Sequence, residues 1–168
     1  MADSEGEVFR RYIVGTIDRL VASLEGLDAR ALNWRPPAPG TNSLYAMVTH
    51  VLGNAEENIL DTLCGQPVPR SRDAEFSATG SSGELVLERW RGLRARIADA
   101  LAALPAGELD RPRRHPRRGE LAGREILLVV ARHAAEHWGE AQLTMSLLRT
   151  AAPSRAERSR SGHAEPNS

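Results

Sequence analysis

The amino-acid sequence predicts an all-α fold, an antiparallel four-helix bundle. Four long segments carry apolar residues at steps of three and four positions, which is the period of one helix face. No segment shows the alternation of apolar and polar residues that is typical of a half-buried strand. The segments between the four helices contain the proline and glycine residues that end helices. A chain of 168 residues, of which 41% are hydrophobic, can bury one core of this kind.

The first two predicted helices begin at residues that can cap a helix. The first covers residues 4–27 and begins at Ser4, which stands three residues before a glutamate, the spacing of a capping box. A polar, proline-rich connection follows. The second helix begins at Asn42 or Ser43, because either side chain can accept a hydrogen bond from the free amides of the first turn, and it ends at Gly65.

The third and fourth helices are predicted in the second half of the chain. Residues 66–80 are predicted to form a loop, because they contain two prolines and a glycine. Ser81 and Glu84 have capping-box spacing and start the third helix, which ends at Pro105. An arginine-rich loop leads to the fourth helix, which covers residues 122–150 and is nearly apolar in its first turns.

The predicted helices all lie before a change in composition near the end of the chain. Residues 153–168 are rich in serine and arginine, and alanine is their only apolar residue type. Such a segment cannot bury enough apolar surface to offset the entropy of ordering it. We therefore predict one domain over residues 1–152 and a disordered tail over residues 153–168.

The composition argues against several classes of function. Basic and acidic residues balance at 22 each, whereas a protein that covers nucleic acid or binds anionic lipid normally has a positive excess. The single cysteine, Cys64, excludes an internal disulfide and suits a reducing compartment. No secretory signal and no apolar run of the ~18 residues that a membrane span requires is present. We expect a cytoplasmic protein without a nucleic-acid or membrane partner.

Histidine placement predicts a metal site inside the bundle. His133 and His137 lie one turn apart on the apolar face of the fourth helix, so their imidazoles can bind one ion. His50, on the second helix, is the natural third ligand, because facing helices of a bundle supply ligands to one interior site. Three neutral imidazoles with an open position are typical of a catalytic site. Zinc, nickel, iron and manganese all suit such a donor set.

Three more side chains are candidates to support the metal ligands. Glu140 lies within a turn after His137 and can accept a hydrogen bond from its imidazole N–H. Glu136 completes an H-x-x-E-H pattern and is a candidate for the same supporting role or for the helix surface. Asn54 follows His50 by one turn. The spacing alone assigns no catalytic residue.

The other histidines and the arginine-rich loop are expected to be solvated. His115 lies within the loop over residues 106–119, and His163 lies in the tail. The loop arginines could bind a carboxylate or a phosphate group. The favoured interpretation is a solvated loop whose charges balance acidic residues elsewhere.

Two segments of the chain resemble the motifs of DinB/YfiT-like proteins. The first is Leu-Asn-Trp-Arg-Pro-Pro at residues 32–37, followed by Thr-Asn-Ser at residues 41–43, where the helix carrying His50 begins. The second is Arg-His-Ala-Ala-Glu-His-Trp-Gly at residues 132–139. The resemblance covers about residues 5–150. It implies a four-helix bundle, a homodimer, and a divalent metal held by His50, His133 and His137.

The resemblance also implies a function. Some DinB/YfiT-like proteins are metal-dependent transferases that act through low-molecular-weight thiols such as mycothiol or bacillithiol, so a thiol cofactor and a small-molecule substrate are expected. Two alternatives stay open. One is a metal-dependent hydrolase, in which Glu136 or Glu140 accepts the proton of water. The other is a non-enzymatic DinB-like bundle with a binding or stress-response role, whose histidines are structural.

Overall fold

The computed structural model describes residues 4–105 and 107–151. The predicted disordered tail, residues 153–168, and His163 within it lie outside the described residues. The α-helices are α1 (Glu5–Ala22), α2 (Ala29–Asn33), α3 (Leu44–Ala55), α4 (Arg72–Phe76), α5 (Glu84–Ala102) and α6 (Gly123–Ala151). A π-helix, π1 (Glu56–Leu63), continues α3, and two strands, β1 (Pro112–His115) and β2 (Gly119–Ala122), lie between α5 and α6.

The predicted all-α bundle is confirmed. Helix α1 packs against α5 and α6, and α3 packs against α6. The apolar faces predicted from the helical period point into one core, whose fully buried residues include Ile13, Ile17, Leu20, Leu44, Leu52, Ile59, Ile97, Ile126 and Leu127. The core thereby fixes the rotation of α3 and α6, the two helices that carry the predicted metal ligands.

Two of the three predicted helix caps are confirmed. The Ser4 side chain accepts a hydrogen bond from the Glu7 backbone N–H at 3.2 Å, and the Ser43 side chain caps α3 in the same way. The predicted cap at Ser81 is wrong: α5 begins at Glu84 and its capping residue is Gly83, which has no side chain to contribute. Gly83 packs close to the backbone of Leu24, so tertiary contact decides where this helix begins.

The connections hold more structure than the sequence predicted. Short helices α2 and α4 interrupt the two segments that were expected to be loops. The arginine-rich loop forms a β-hairpin, in which β1 pairs antiparallel with β2, and Gly119 adopts the left-handed φ of 77° that a three-residue hairpin loop requires. The expectation of no strand is therefore wrong here, because four-residue strands made mainly of charged residues show no apolar alternation.

The π-helix π1 takes the place of the last turns of the second predicted helix. Its wider turn buries consecutive residues, among them Glu57 and Asn58. These two polar side chains are buried next to the hairpin, since β1 packs against π1.

Among the described residues, no helix combines the length and the apolar character that crossing a membrane requires.

Candidate metal centre

Helices α3 and α6 bring the three predicted ligands together. One ring nitrogen of each of His50, His133 and His137 lies within 4.8 Å of the others. The rings are nearly perpendicular to one another, and their centroids lie 4.4–5.3 Å apart. His50 is buried, while His133 and His137 are half-buried. We call these three residues the histidine cluster, and they could hold a metal ion.

Glu75 orients His50 from the side away from the cluster. Its Oε2 lies 2.8 Å from His50 Nδ1, and the imidazole stacks on Phe76 with centroids 4.2 Å apart. Burial raises the pKa of Glu75, but hydrogen bonds from Arg70 and His50 outweigh burial and hold that pKa at about 2. Because Glu75 is thus an anionic acceptor, Nδ1 of His50 carries the proton and Nε2 keeps its lone pair for a ligand.

Sequence reasoning missed Glu75 because it lies in a segment predicted to be a loop. Helix α4, which carries it, spans only Arg72–Phe76, too short to show an apolar period. The contact joins residues 25 positions apart, and nothing in their spacing connects them. No feature of the sequence indicates the contact of Glu75 with His50.

The three supporting candidates differ in their surroundings. Oε2 of Glu140 lies 2.7 Å from His137 Nδ1, where it can accept the imidazole N–H. Glu136 is exposed and pairs with Arg132 at 3.0 Å. Asn54 Oδ1 is buried and has no hydrogen-bond partner among the described residues. Only Glu140 therefore touches a residue of the histidine cluster through its side chain.

The histidine cluster fits a divalent cation. His133 Nε2 lies 3.1 Å from His50 Nε2, and two nitrogens bound tetrahedrally at zinc distances are about 3.3 Å apart. Burial, followed by the neighbouring His137 and His50, lowers the pKa of His133 to about 3. Burial also lowers the pKa of His50, although Glu75 opposes it. His50 and His133 are therefore neutral at physiological pH, which is the protonation state that metal ligation requires.

Two cavities open beside the histidine cluster. The larger cavity, of about 570 Å³, is lined by all three histidines, by Glu136 and Glu140, and by apolar side chains that include Met47, Phe76, Leu143 and Leu147. The arginine cavity, of about 380 Å³, is lined by His50 and His133 together with Arg70, Arg72, Arg117 and Arg118. A small molecule can thus reach the cluster without unfolding the bundle.

His115 is not solvated, which corrects the sequence prediction. It is 3% exposed, and its Nδ1 accepts a hydrogen bond from the Arg117 backbone N–H at 3.0 Å. Nε2 therefore carries the proton and donates to Asn58 Oδ1 at 2.9 Å. Nε2 thus fixes the hairpin to π1, while Nδ1 is bonded within the hairpin. His115 consequently has no lone pair for a metal.

The arginine-rich segment is also less solvated than predicted. Arg117 pairs with the buried carboxylate of Glu57. Arg70 joins Glu57 to Glu75 through bonds of 2.7 Å to each, and all three side chains are at most 10% exposed. The hairpin is thereby connected through Glu57 and Arg70 to the glutamate that orients His50. The prediction that acidic residues balance the charges of these arginines was correct, but some of the ion pairs are buried inside the protein.

Replacing Gly53 by alanine is expected to destabilise the protein although alanine favours helices. A Cβ at this position of α3 would overlap the Glu75 carboxylate, which could only move by giving up its bonds to Arg70 and His50. Thermal unfolding should show a lower Tm for Gly53→Ala. The matched control is Gly92→Ala in α5, where a Cβ meets nothing within 4 Å and the change should stabilise by about 0.5–1 kcal/mol. An equal rise in Tm for both variants would contradict the tight packing at Gly53.

Acid is expected to destabilise the metal-free protein below about pH 6.5. Burial lowers the pKa of His50, His115 and His133 in the folded state, that of His133 from 6.5 to about 3. The unfolded chain therefore binds more protons as pH falls, and the free energy of unfolding decreases. Urea unfolding of chelator-treated protein should give a lower free energy at pH 5.0 than at pH 7.5, with a smaller difference in His115→Gln. Equal free energies at both pH values would show that these histidines are not held neutral.

Comparison with known proteins places the chain in a family. None of the curated proteins compared with the chain matches it significantly. The sequence model of the DinB superfamily matches residues 12–141, a stretch that contains the whole histidine cluster. Because this match spans more than half of the chain, the protein belongs to the DinB superfamily.

Proposed function

We propose that this protein is a divalent-metal-dependent S-transferase that uses a low-molecular-weight thiol of the mycothiol or bacillithiol type in the cytoplasm. The observation that carries the proposal is that three imidazoles converge on the wall of a cavity of about 570 Å³. Three protein ligands leave a coordination position for a small molecule. When bound there, a zinc, nickel, iron or manganese ion would supply positive charge that favours the deprotonated form of a thiol.

The chain's own side chains favour an external nucleophile. The sequence contains no lysine, and its single cysteine, Cys64, does not line the larger cavity. Burial raises the pKa of the Cys64 thiol, which makes it a poorer nucleophile. A soluble thiol entering the cavity would supply the sulfur that the protein itself does not place there.

The histidines and the carboxylates of the larger cavity have roles in this proposal. His50, His133 and His137 would hold the metal, with Glu75 and Glu140 fixing two of the rings. Glu136 lines the cavity and would accept the thiol proton. The sulfur then forms a bond to an electrophilic carbon, and the leaving group departs with its electron pair. The apolar side chains of the cavity would hold the carbon skeleton of the electrophile.

The test uses protein purified without a histidine tag and loaded with zinc or nickel. Elemental analysis gives the metal content, and 1-chloro-2,4-dinitrobenzene serves as a chromogenic electrophile with mycothiol, bacillithiol or cysteine as thiol. Conversion that depends on both metal and thiol, is lost in His137→Ala and persists in His163→Ala is expected. Metal-loaded protein that is inert with all three thiols would contradict the proposal.

The same experiment separates the two alternatives. A hydrolase would convert an ester substrate without added thiol, and Glu136→Gln would slow it. A non-enzymatic bundle would fail to retain metal at sub-micromolar concentration. The acidic residues of the larger cavity favour the hydrolase as the second candidate, because a carboxylate near the metal position can accept the proton of water.

We also propose that the protein forms a homodimer. Tyr12 on α1 and Leu128 on α6 are 65% and 59% exposed, and the two helices that carry them pack against each other. An apolar patch that spans neighbouring helices, unlike a single exposed side chain, is typical of a contact between subunits. Light scattering should give twice the mass of the chain, and Leu128→Glu should give the mass of one chain.

A further inference from the structure

The arginine cavity is unusual in its charge. Four arginines line it, and no aspartate or glutamate does. Arg70 and Arg117 are paired with the buried carboxylates of Glu57 and Glu75, which lie behind the cavity wall. Arg72 and Arg118 have no carboxylate partner among the described residues. The cavity therefore keeps an excess of positive charge facing its interior.

The unpaired guanidinium groups lie near the histidine cluster. Arg72 lies over the ring of Phe76 at 4.7 Å, and Phe76 in turn stacks on His50. Arg72 lines both the arginine cavity and the larger cavity, so it stands where the two meet beside His50 and His133. A molecule that reaches the histidine cluster can therefore also reach this positive charge.

The hairpin loop that carries Arg118 is held in place before any ligand binds. Arg118 follows Arg117 in the hairpin loop, and that loop is fixed by the pairing of His115 with Asn58 and of Arg117 with Glu57. A preorganised group loses less entropy on binding than a mobile side chain on a free loop. The structural role of His115 is thus to hold the hairpin against π1 at the edge of the cavity.

A second observation comes from Asn54 on the cavity wall. Its Oδ1 is buried and has no partner among the described residues. An unsatisfied buried amide is costly, and such groups are normally paired with protein, water or ligand. Because Oδ1 is an acceptor, it cannot bond to an oxyanion directly, but it can accept a hydrogen bond from a water that the anion holds. The cavity therefore combines unpaired positive charge with a polar group that lacks a partner.

We propose that the arginine cavity binds an oxyanion group, a carboxylate or a phosphate, carried by the small molecule whose reactive atom lies at the histidine cluster. Arg72 and Arg118 bind the anion, and a water held by the anion donates to Asn54 Oδ1. The proposal rests on the proposed function in one respect: it assumes that the anionic molecule is the thiol or the electrophile of the transfer reaction. The substrate class is then an anionic thiol, an anionic electrophile, or both.

The first experiment measures anion binding without metal or catalysis. Inorganic phosphate is titrated into chelator-treated protein by calorimetry, with Arg72→Gln/Arg118→Gln as the test variant. The matched control is Arg91→Gln/Arg114→Gln, which removes two exposed arginines that do not line the cavity. We expect about tenfold weaker binding of phosphate in the test variant. This is the lower end of the range for loss of hydrogen bonds to a charged group, because the two arginines are exposed. Equal affinities of the two double variants would overturn the proposal.

The second experiment identifies which reactant carries the anion. Zinc-loaded protein is titrated with 3-mercaptopropionate and with 2-mercaptoethanol, and turnover is compared between 4-chloro-3,5-dinitrobenzoate and 1-chloro-2,4-dinitrobenzene. A preference for the anionic member of either pair, lost in Arg72→Gln/Arg118→Gln and kept in the control variant, supports the proposal. No preference in either pair would overturn it.

The outcomes separate this proposal from the proposed function. Arginine-dependent phosphate binding without any thiol turnover would leave the oxyanion site standing and contradict the transferase. Thiol turnover that the Arg72→Gln/Arg118→Gln variant leaves unchanged for anionic and neutral substrates alike would support the transferase and overturn the oxyanion site.

Discussion

Replacing His137 by alanine is expected to weaken metal binding by more than about 100-fold. Loss of a residue that only hydrogen-bonds to a metal ligand typically lowers metal affinity by about 10–100-fold, and loss of a ligand should lower it further. The reason is that one of three converging nitrogens is removed from the cluster. His50→Ala and His133→Ala should have the same effect. Competition with a chromophoric chelator measures the affinity, and elemental analysis of the purified variants measures the retained metal.

The same metal is expected to stabilise the folded protein. At a free metal concentration 100 times the Kd, binding to the folded state alone contributes about 2.7 kcal/mol. A chelator should then lower the Tm of the wild-type protein by about 5–11 °C, given about 2–4 °C per kcal/mol for a chain of this size. The Tm of the His137→Ala variant should not respond to the chelator.

His115→Ala provides the discriminating control for the metal prediction. His115 is buried, and both its ring nitrogens are bonded within the protein, so its loss should lower the Tm. It should nevertheless leave the affinity for metal unchanged, because the ring takes no part in the histidine cluster. A variant of His115 that lost metal, or a variant of His137 that kept it, would contradict the assignment of the cluster.

Replacing Arg70 by methionine is expected to destabilise the protein by about 3–5 kcal/mol, the cost of leaving buried partners unpaired. Arg70 is 7% exposed and holds the carboxylates of Glu57 and Glu75, which are 10% and 8% exposed. Without it, the buried carboxylate of Glu75 keeps only His50 as a partner among the described residues, and that of Glu57 keeps only Arg117. Thermal unfolding of chelator-treated protein should show a Tm lower by about 6–20 °C.

The matched control for Arg70 is an arginine at the surface. Arg94 pairs with Asp18 at 3.1 Å, but the two side chains are 52% and 40% exposed. Solvent screens such a pair, so Arg94→Met should cost at most about 1 kcal/mol. If the two variants lost the same stability, burial of the Arg70 network would not be what makes it important. Adding Glu75→Gln to Arg70→Met should recover part of the loss, because the carboxylate that lost its main partner is then removed.

The parts of the site that were predicted from sequence all depend on local periodicity. His133 and His137 could be paired because one helical turn sets their spacing, and the apolar residues around them show which way that face points. His50 could be added because an apolar face also runs along its helix, and helices of a bundle turn such faces toward each other. The cap at Ser43 and the helix bounds of α6 follow from the same short-range rules.

Apart from the bond of Glu140 to His137, which follows from helix spacing, the contacts that support the site could not be predicted in this way. Glu75 bonds to His50, and Asn58 bonds to His115, across 25 and 57 positions of sequence. Nothing in the spacing of these residues marks them as partners. His115 was accordingly expected in solvent, whereas the hairpin places it against π1. Arg70 could not be predicted as a partner either, because an arginine that directly follows a proline-rich stretch is typical of an exposed loop.

The sequence by itself determined the helical class, the inward faces of the long helices, and hence which histidines could meet. Only the tertiary structure decided that Glu75 holds His50, that the arginine-rich segment folds into a hairpin, and that two arginines of the cavity beside the histidine cluster remain without a carboxylate in the described part of the chain. The physical reason is a difference in range. Helix periodicity and capping are set by backbone geometry within one or two turns, whereas a buried polar side chain takes whichever partner the packing of distant segments brings within hydrogen-bond distance.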